Sequence, residues 1–251
     1  MKTFTKFMCI AAVASFAAAQ ARAAILAQDN FSYPDGDLVT VSGGTWTSFS
    51  GATALNVVSG QAFETGANSM DDQISIGTGH SNDVLFAGFD VTFNTLSGNQ
   101  NTYIAHFKDA GTTFFGKVFG SNTVGGVQLG ISVQANSPGA ALWGSTFALG
   151  TTHRIIVELD QSAGWPATAK MWVDPVNEFS TSIQALDTPF PTNVNIVAYA
   201  LRQTNASTMG SQYIDNLIVG TTFEDVIPEP STMLLVGTGL VGLLAIRRRR
   251  S

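Results

Sequence analysis

The feature that most constrains the fold of this chain is a period-two pattern over residues 83–95. One face of that stretch is continuously apolar and consists of Leu85, Ala87, Phe89, Val91 and Phe93. The opposite face is mixed and consists of Val84, Phe86, Gly88, Asp90 and Thr92. A period of two with one apolar face is typical of a strand that covers a hydrophobic core. The stretch therefore predicts a sheet with one face buried.

Short apolar or alternating runs continue along most of the chain, from residue 24 to residue 219, and Gly, Asn, Asp and Ser separate them. Ser59-Gly60 lies between two such runs and indicates a tight hairpin. Residues 140–147 are predicted to form one further strand. No sustained helical period, linker or fixed repeat interrupts the pattern. We therefore expect one all-β domain over residues 24–225, a sandwich of two antiparallel sheets.

The first 23 residues have the layout of a secretory signal peptide. Lys2 and Lys6 form its basic start, residues 7–19 its apolar centre, and Ala21-Arg22-Ala23 its cleavage site. An uncleaved anchor is the alternative, which the short apolar centre and the small residues after it disfavour. The single cysteine, Cys9, lies in this segment. The exported chain therefore has no disulfide and depends on core burial, with a metal as a further means of stabilisation.

The last 26 residues, 226–251, have three parts in order: the motif Pro228-Glu229-Pro230, an apolar run over residues 233–246, and a basic cluster that consists of Arg247, Arg248, Arg249 and Arg250. As a helix the apolar run would rise only about 21 Å, against a hydrocarbon core of roughly 30 Å. The arginines compensate as a cytoplasmic stop, because guanidinium groups resist crossing the bilayer and hold their flank on the cytoplasmic side. The run is predicted to be a short transmembrane helix, and a permanent tail anchor is one way to interpret it.

This arrangement resembles the PEP-CTERM sorting signal of Gram-negative bacterial surface proteins. The resemblance implies recognition of Pro228, Glu229 and Pro230 by an exosortase, a membrane-embedded transpeptidase-like enzyme. It also implies removal of the helix and the arginines, and release to the cell surface or the extracellular matrix of a biofilm. The two prolines favour an extended backbone, which suits an enzyme that needs access to the chain.

Three segments of the body resemble the strands of bacterial laminin-G-like domains: Tyr103 to Asp109, Ala169 to Pro175, and Tyr213 to Thr221. The resemblance implies the concanavalin-A-like jelly-roll fold, with two antiparallel sheets, and an extracellular setting. It does not imply one activity, because a fold does not determine a function.

The body is strongly acidic. Positions 24–227 contain five Lys or Arg and seventeen Asp or Glu residues, which gives a net charge of −12. Such a surface disfavours nucleic acid and anionic lipid as partners and is compatible with cations.

The catalytic pattern that the sequence approaches most nearly is the carboxylate pair of a glycosidase. Enzymes that resemble laminarinases carry Glu-x-Asp-x-x-Glu on one strand. Glu158-Leu159-Asp160 begins this pattern, but Ser162 and Ala163 stand where the second glutamate should fall. Half of a pair cannot supply both an acid and a nucleophile, so the sequence predicts no enzyme. His80, His106 and His153 do not have metal-ligand spacing and are expected to be structural, with His106 at the surface or in a groove.

Two binding sites are predicted with weaker patterns. Asp29 near the start of the body and Asp215 near its last strand could share a calcium ion, because a jelly roll brings its first and last strands together. Ordinary turn hydrogen bonding is the alternative. Trp165, in a Gly-Trp-Pro loop, is the best residue for stacking on a ligand such as a sugar, and a packing lid is its alternative.

The sequence therefore predicts an exported, surface-sorted β-sandwich that acts as a non-catalytic binding or structural module, with extracellular polysaccharide as one ligand class. A divergent glycan-active hydrolase of the same fold is the alternative.

Overall fold

A computed structural model of the chain describes residues 24–95, 102–139, 141–164, 166–187, 194–204 and 209–227. Apolar alternation produces strands along this part of the chain, and its two helices have only four residues each, α1 (Leu38–Val41) and α2 (Phe223–Val226). The strands are β1 (Ile25–Asp29), β2 (Gly36–Asp37), β3 (Trp46–Ser50), β4 (Asn56–Val58), β5 (Gln61–Thr65), β6 (Asp71–His80), β7 (Val84–Thr95), β8 (Thr102–Asp109), β9 (Phe114–Thr123), β10 (Gly126–Ser132), β11 (Thr152–Asp160), β12 (Thr168–Val173), β13 (Ser182–Gln184), β14 (Ile196–Leu201) and β15 (Ser211–Gly220).

These strands form two sheets in which neighbouring strands are antiparallel. The nine-stranded sheet has the order β13-β12-β11-β7-β15-β5-β4-β2, and β1 also pairs with β15. The six-stranded sheet has the order β10-β9-β8-β14-β6-β3. The predicted fold class, an all-β jelly-roll sandwich, is thereby confirmed.

The core lies between the two sheets, and β7 supplies its central row. Leu85, Ala87, Phe89 and Val91 have no exposed surface, as the period-two pattern predicts. Across the core, the ring of Tyr199 on β14 lies between the rings of Phe89 and Phe107, with centroid distances of 6.2 and 4.9 Å. Tyr199 thus contacts Phe107 within its own sheet and Phe89 of the opposite sheet.

A second, smaller apolar cluster lies on the outer face of the nine-stranded sheet. It consists of Phe86, Ile156, Trp172, Phe223 and Val226. Phe223 and Val226 belong to α2, which packs over the strands at this point. Trp172 is buried here, at 2% exposure, between the sheet and α2. The chain therefore remains part of the fold through this last described helix.

Two local predictions had different outcomes. Ser59 and Gly60 have φ values of 54° and 76° and join β4 to β5 in a two-residue hairpin, as predicted. The predicted strand over residues 140–147 is wrong, since residues 141–147 make only isolated bridges to β10 through Leu142 and Phe147.

No helix in the described ranges has the length and apolar content to cross a membrane. The predicted transmembrane segment 233–246 lies outside those ranges.

Candidate functional site

Asp29, predicted as a calcium ligand, organises the turn that follows β1. Its Oδ1 accepts a hydrogen bond from the backbone N–H of Phe31 at 2.7 Å. Its Oδ2 accepts from the hydroxyl of Tyr33 at 2.8 Å and from the indole Nε1 of Trp46 at 2.7 Å. Phe31 has a φ of 51°, so its bond to Asp29 holds a left-handed residue in place. Trp46 is fully buried, and its N–H needs this acceptor.

Asp215 lies close to Asp29, because Leu217 on β15 pairs with Asp29 on β1. The Asp215 carboxylate accepts hydrogen bonds from Gln61 Nε2 at 3.3 Å and from the backbone N–H of Asn216 at 2.7 Å. Burial raises the pKa of Asp215, and the charges of Asp90 and Asp29 raise it further. The described residues contain no group of three or more His, Cys, Asp or Glu that could hold a metal ion. Calcium at Asp29 and Asp215 stays a prediction.

The other predicted site residues lie outside the described residues, as does the signal peptide, residues 1–23. They are the ligand candidate Trp165, the sorting-motif residues Pro228, Glu229 and Pro230, and the cytoplasmic-stop residues Arg247, Arg248, Arg249 and Arg250. The roles of these residues in ligand stacking, sorting and membrane orientation stay predictions.

Glu158 is buried on the outer face of the nine-stranded sheet and accepts a hydrogen bond from Lys170 Nζ at 3.1 Å. Burial raises the pKa of Glu158, while Lys170 lowers it. Asp160 accepts two hydrogen bonds from Ser162 and thereby caps the following turn. Glu178 lines the same cavity of about 430 Å³ as Glu158. The search along one strand missed this second carboxyl group, because it comes from a separate loop.

Two histidines are held by carboxylates and one by rings. His80 and His153 contact Asp83 and Asp174 through Nδ1, at 2.8 and 2.7 Å. The prediction that His106 lies at the surface or in a groove is wrong, since its side chain has no exposed surface. The rings of Phe114, Tyr103 and Phe49 enclose it, with centroid distances of 4.4, 5.4 and 6.1 Å.

This aromatic enclosure belongs to the side of the six-stranded sheet that faces away from the core. On β8, Ile104, Ala105 and Phe107 face the core, whereas Tyr103 and His106 are absent from the core cluster. Two irregularities in the pairing of β8 with β9, between Tyr103 and Ala105 and between Ala105 and Phe107, shift the alternation at this point. The side chains of Tyr103 and His106 therefore lie on the same surface as three cations.

We call Lys108, Lys117 and Arg202 the cationic cluster. They come from three separate places in the sequence. They lie together because β8, β9 and β14 are neighbours in the sheet. Lys117 Nζ lies 4.7 Å from the ring centroid of Tyr103, and Arg202 Cζ lies 4.1 Å from the same centroid. Lys108 Nζ lies 4.8 Å from the ring centroid of Phe49. Cation–π contacts of this kind hold the three charges around one aromatic floor.

None of the three cations forms a salt bridge within the part of the chain that the structure describes. Lys108 Nζ donates to the carbonyl of Asp109, and Lys117 Nζ donates to the carbonyl of Gln134 and to Asn136 Oδ1. These acceptors are neutral. Buried charge that lacks a salt bridge costs stability, so a concentration of it is typical of binding and active sites.

The pKa values of the cluster reflect that crowding. Burial lowers the pKa of Lys117 to about 8, and repulsion by Arg202 contributes, although Asp187 opposes it. Burial also lowers the pKa of His106 well below its ordinary value, and Lys117, Arg202 and Lys108 reinforce this. The imidazole is therefore neutral at physiological pH, and neither ring nitrogen has a hydrogen-bond partner in the described structure.

Sequence reasoning missed this site. It contains three of the five basic residues between positions 24 and 227 of an otherwise acidic body. Lys108 and Lys117 also lie inside strands and not in loops. The scarcity of basic residues and the position of Lys108 and Lys117 inside strands could have indicated a site. The grouping of these two residues with Arg202 depends on strand order and could not be predicted.

Comparison with known proteins supports the sorting signal and the fold. A family model described as the PEP-CTERM protein-sorting motif matches residues 226–250, which confirms that part of the sequence interpretation. The motif indicates an exported protein that is sorted to the cell surface. No curated protein matches the chain in sequence.

Solved structures share the fold at low sequence identity. Alginate lyase Aly36B is 12% identical, with a TM-score of 0.54 over 76% of this chain and 95% of the lyase chain. A mutant of Aly36B in complex with alginate tetrasaccharide is 14% identical, with a TM-score of 0.52 over the same shares. The metal-free carbohydrate recognition domain of Emp46p is 10% identical, with a TM-score of 0.46 over 77% of this chain and 95% of that domain. The similarity to the lyase structures shows that the body shares their jelly-roll fold.

Proposed function

We propose that this chain is an exported surface protein whose β-sandwich binds an acidic polysaccharide at the cationic cluster without cleaving it. The observation that carries the proposal is that Lys108, Lys117 and Arg202 gather around an aromatic floor with no salt-bridge partner in the described structure. The carboxylates of a polyuronate would supply the missing negative charges. Aromatic rings also offer stacking surfaces for sugars.

The parts of this surface differ in how they could reach a ligand. Arg202, Phe49 and Phe114 are half-buried and so can contact one directly. Lys108 and Lys117 are only 2% and 4% exposed. Their charges would act mainly through the local field, which is stronger near a low-dielectric interior than in water. The Aly36B mutant holds an alginate tetrasaccharide on the same fold, which makes alginate a suitable first probe.

The proposal for the tail is that an exosortase recognises Pro228 to Pro230 in the envelope of a Gram-negative bacterium. Residues 233–246 would enter the membrane transiently, with Arg247 to Arg250 on the cytoplasmic side, and would then be removed. The body would join the cell surface or a biofilm matrix. Its closer relation to laminin-G-like domains is part of the same proposal.

Sedimentation of the purified residues 24–227 with insoluble calcium alginate, beside a turnover assay on soluble alginate, tests the function of the body. We expect retention on the alginate with no new chain ends. Failure to bind alginate and other polyuronates would contradict the proposal. A neutral polysaccharide of similar chain length is the matched control for charge, and it should not be retained.

A catalytic role is the second candidate function. The observation that favours it is that Lys117, whose pKa is about 8, lies beside Tyr103, so a group able to exchange a proton near neutral pH is present at the site. New reducing ends accompanied by ultraviolet absorbance from a C=C bond would identify a lyase. Reducing ends without that absorbance would identify the hydrolase alternative.

Alginate affinity should depend on pH through Lys117. Because the pKa of the free Lys117 is about 8, the cation that binds the anion is present below pH 8 and is lost above it. We therefore expect constant affinity between about pH 6 and 7.5 and a loss approaching tenfold per pH unit above pH 8. Titration calorimetry at constant ionic strength measures this. Lys117→Arg should remove the step, because arginine keeps its proton, and an unchanged step in that variant would assign it elsewhere.

A further inference from the structure

The segment just before the sorting signal is held against the outer face of the nine-stranded sheet. Thr222 caps α2 in a capping box: its hydroxyl accepts from the N–H of Asp225, and Asp225 accepts from the N–H of Thr222. The ring of Phe223 lies 5.0 Å from that of Trp172 and 6.0 Å from that of Phe86. Val226 has no exposed surface. The segment is therefore held by its own cap and by apolar burial.

Arg154 adds a polar clamp from the middle of the sheet. Its Nη2 donates to the carbonyl oxygen of Val226 at 2.6 Å. Its Nη1 donates to the carbonyl oxygen of Asn216 at 2.7 Å and to Asp90 Oδ1 at 3.2 Å. One half-buried guanidinium thus ties β7, β11 and β15 to the residue where the sorting signal begins.

Two strand glycines make room for this segment. A Cβ on Gly88 of β7 would lie 2.6 Å from the Val226 carbonyl oxygen, and a Cβ on Gly220 of β15 would lie 2.5 Å from Asp225 Cβ. Glycine weakens a strand, and its presence there commonly marks a place where another backbone approaches closely. The sheet is therefore built to receive the segment.

We propose that residues 221–227, which we call the strap, fix the point at which the sorting signal leaves the fold. Processing then takes place beyond Ile227 while the sandwich stays folded, and the mature protein keeps the strap. This inference rests on the proposed processing by an exosortase. Arg154 and Phe223 are the positioning residues, and neither belongs to the cationic cluster.

The strap also sets the orientation of the two sheets relative to the membrane. Met233, the start of the apolar run, is six residues beyond Ile227 and can lie at most about 20 Å from it. The face that carries the strap must therefore lie near the membrane while the tail is inserted. The cationic cluster is on the outer face of the other sheet, so it is directed away from the membrane and towards extracellular polymer.

A glutamate-specific protease tests the strap on the full chain, exported by a host that lacks an exosortase and extracted in detergent. Glu224 is exposed, yet we expect cleavage after Glu224 to be at least about tenfold slower than in a synthetic peptide of residues 219–230, because a protease needs several residues in open conformation. Phe223→Ala and Arg154→Met should each raise cleavage after Glu224 about tenfold or more, since that rate follows the open population. Val124→Ala, which trims a 99% exposed side chain between β9 and β10 of the other sheet, is the matched control and should leave cleavage after Glu224 unchanged.

Cleavage after Glu158, in the buried part of β11, reports global unfolding in the same digests. It should stay at the wild-type level in both strap variants. Equal rates of cleavage after Glu224 in the folded wild type and in the synthetic peptide would overturn the strap. Joint loss of protection at Glu158 and Glu224 in both variants would also overturn it, by making the segment part of the cooperative core.

The mass of the mature C-terminal peptide from an exosortase-containing native host separates the two proposals. We expect an end beyond Ile227. An end before Thr221 would contradict the strap and leave processing intact. An intact Arg250-Ser251 end would contradict processing, and the protease digests would still decide the strap.

Discussion

The double variant Lys117→Gln, Arg202→Gln is expected to bind alginate about a hundredfold more weakly than the wild type, or worse. A direct hydrogen bond from Arg202 to a carboxylate contributes about 1.5–3 kcal/mol, and loss of the buried Lys117 charge removes further attraction through the local field. The fold should persist, because the backbone N–H of Arg202, which donates to Glu64 Oε1 at 3.1 Å, is retained. Titration calorimetry measures the affinity, and circular dichroism confirms the fold.

Lys170→Gln is the matched control for this variant, since it removes a cation from the opposite sheet that already has Glu158 as its partner. We expect wild-type affinity from it. Binding of the wild type should also weaken as salt rises, because exposed charge interactions are screened over about 8–10 Å at physiological ionic strength. Equal losses in Lys170→Gln and in the double variant would show that net charge, and not the cationic cluster, governs binding.

Asp29→Ala is expected to lower the free energy of unfolding by roughly 3 kcal/mol or more, even in the presence of a chelator. The change removes three hydrogen bonds and leaves the buried Trp46 N–H without its acceptor. For a domain of about 200 residues, this corresponds to a fall in melting temperature of about 6–12 °C. Thermal denaturation followed by circular dichroism measures it.

Asp215→Ala is the comparison. Among the described residues Asp215 accepts from Gln61 at 3.3 Å and from its own neighbour, so we expect a loss below about 1 kcal/mol. Calcium at 100 times its dissociation constant would add about 2.7 kcal/mol to the wild type. A calcium-dependent rise in melting temperature that both variants lose would support the predicted metal site. A melting temperature that is the same in calcium and in chelator would leave Asp29 with its structural role alone.

Local patterns predicted much of the fold. The alternation over residues 83–95 became β7, and Ser59-Gly60 became the turn between β4 and β5, because both depend on neighbours in sequence. The pattern failed for residues 141–147, where Leu142 and Phe147 pack against β10 from a loop. Apolar content alone does not distinguish a strand from a loop that covers a sheet edge.

The functional residues were predicted less well than the fold. His106 was expected near the surface from its alternation with Ile104, but the irregular pairing of β8 and the rings around it bury the imidazole. Asp29 was predicted as a calcium ligand, which stays a prediction, and its hydrogen bonds to Tyr33 and Trp46 could not be read from spacing. Glu178 entered the cavity of Glu158 from a distant loop.

The sequence by itself determined the class of fold and the sorting of the protein to the cell surface. Both depend on contiguous residues. A period of two predicts the strands, and the motif over residues 226–250 indicates sorting. Only the tertiary structure decided which charges meet. Lys108, Lys117 and Arg202 become neighbours because β8 lies between β9 and β14, and Arg154 reaches Val226 because β11 lies beside β7 under the strap. Strand order, set by packing between the two sheets, carries that information, and no local pattern in the chain encodes it.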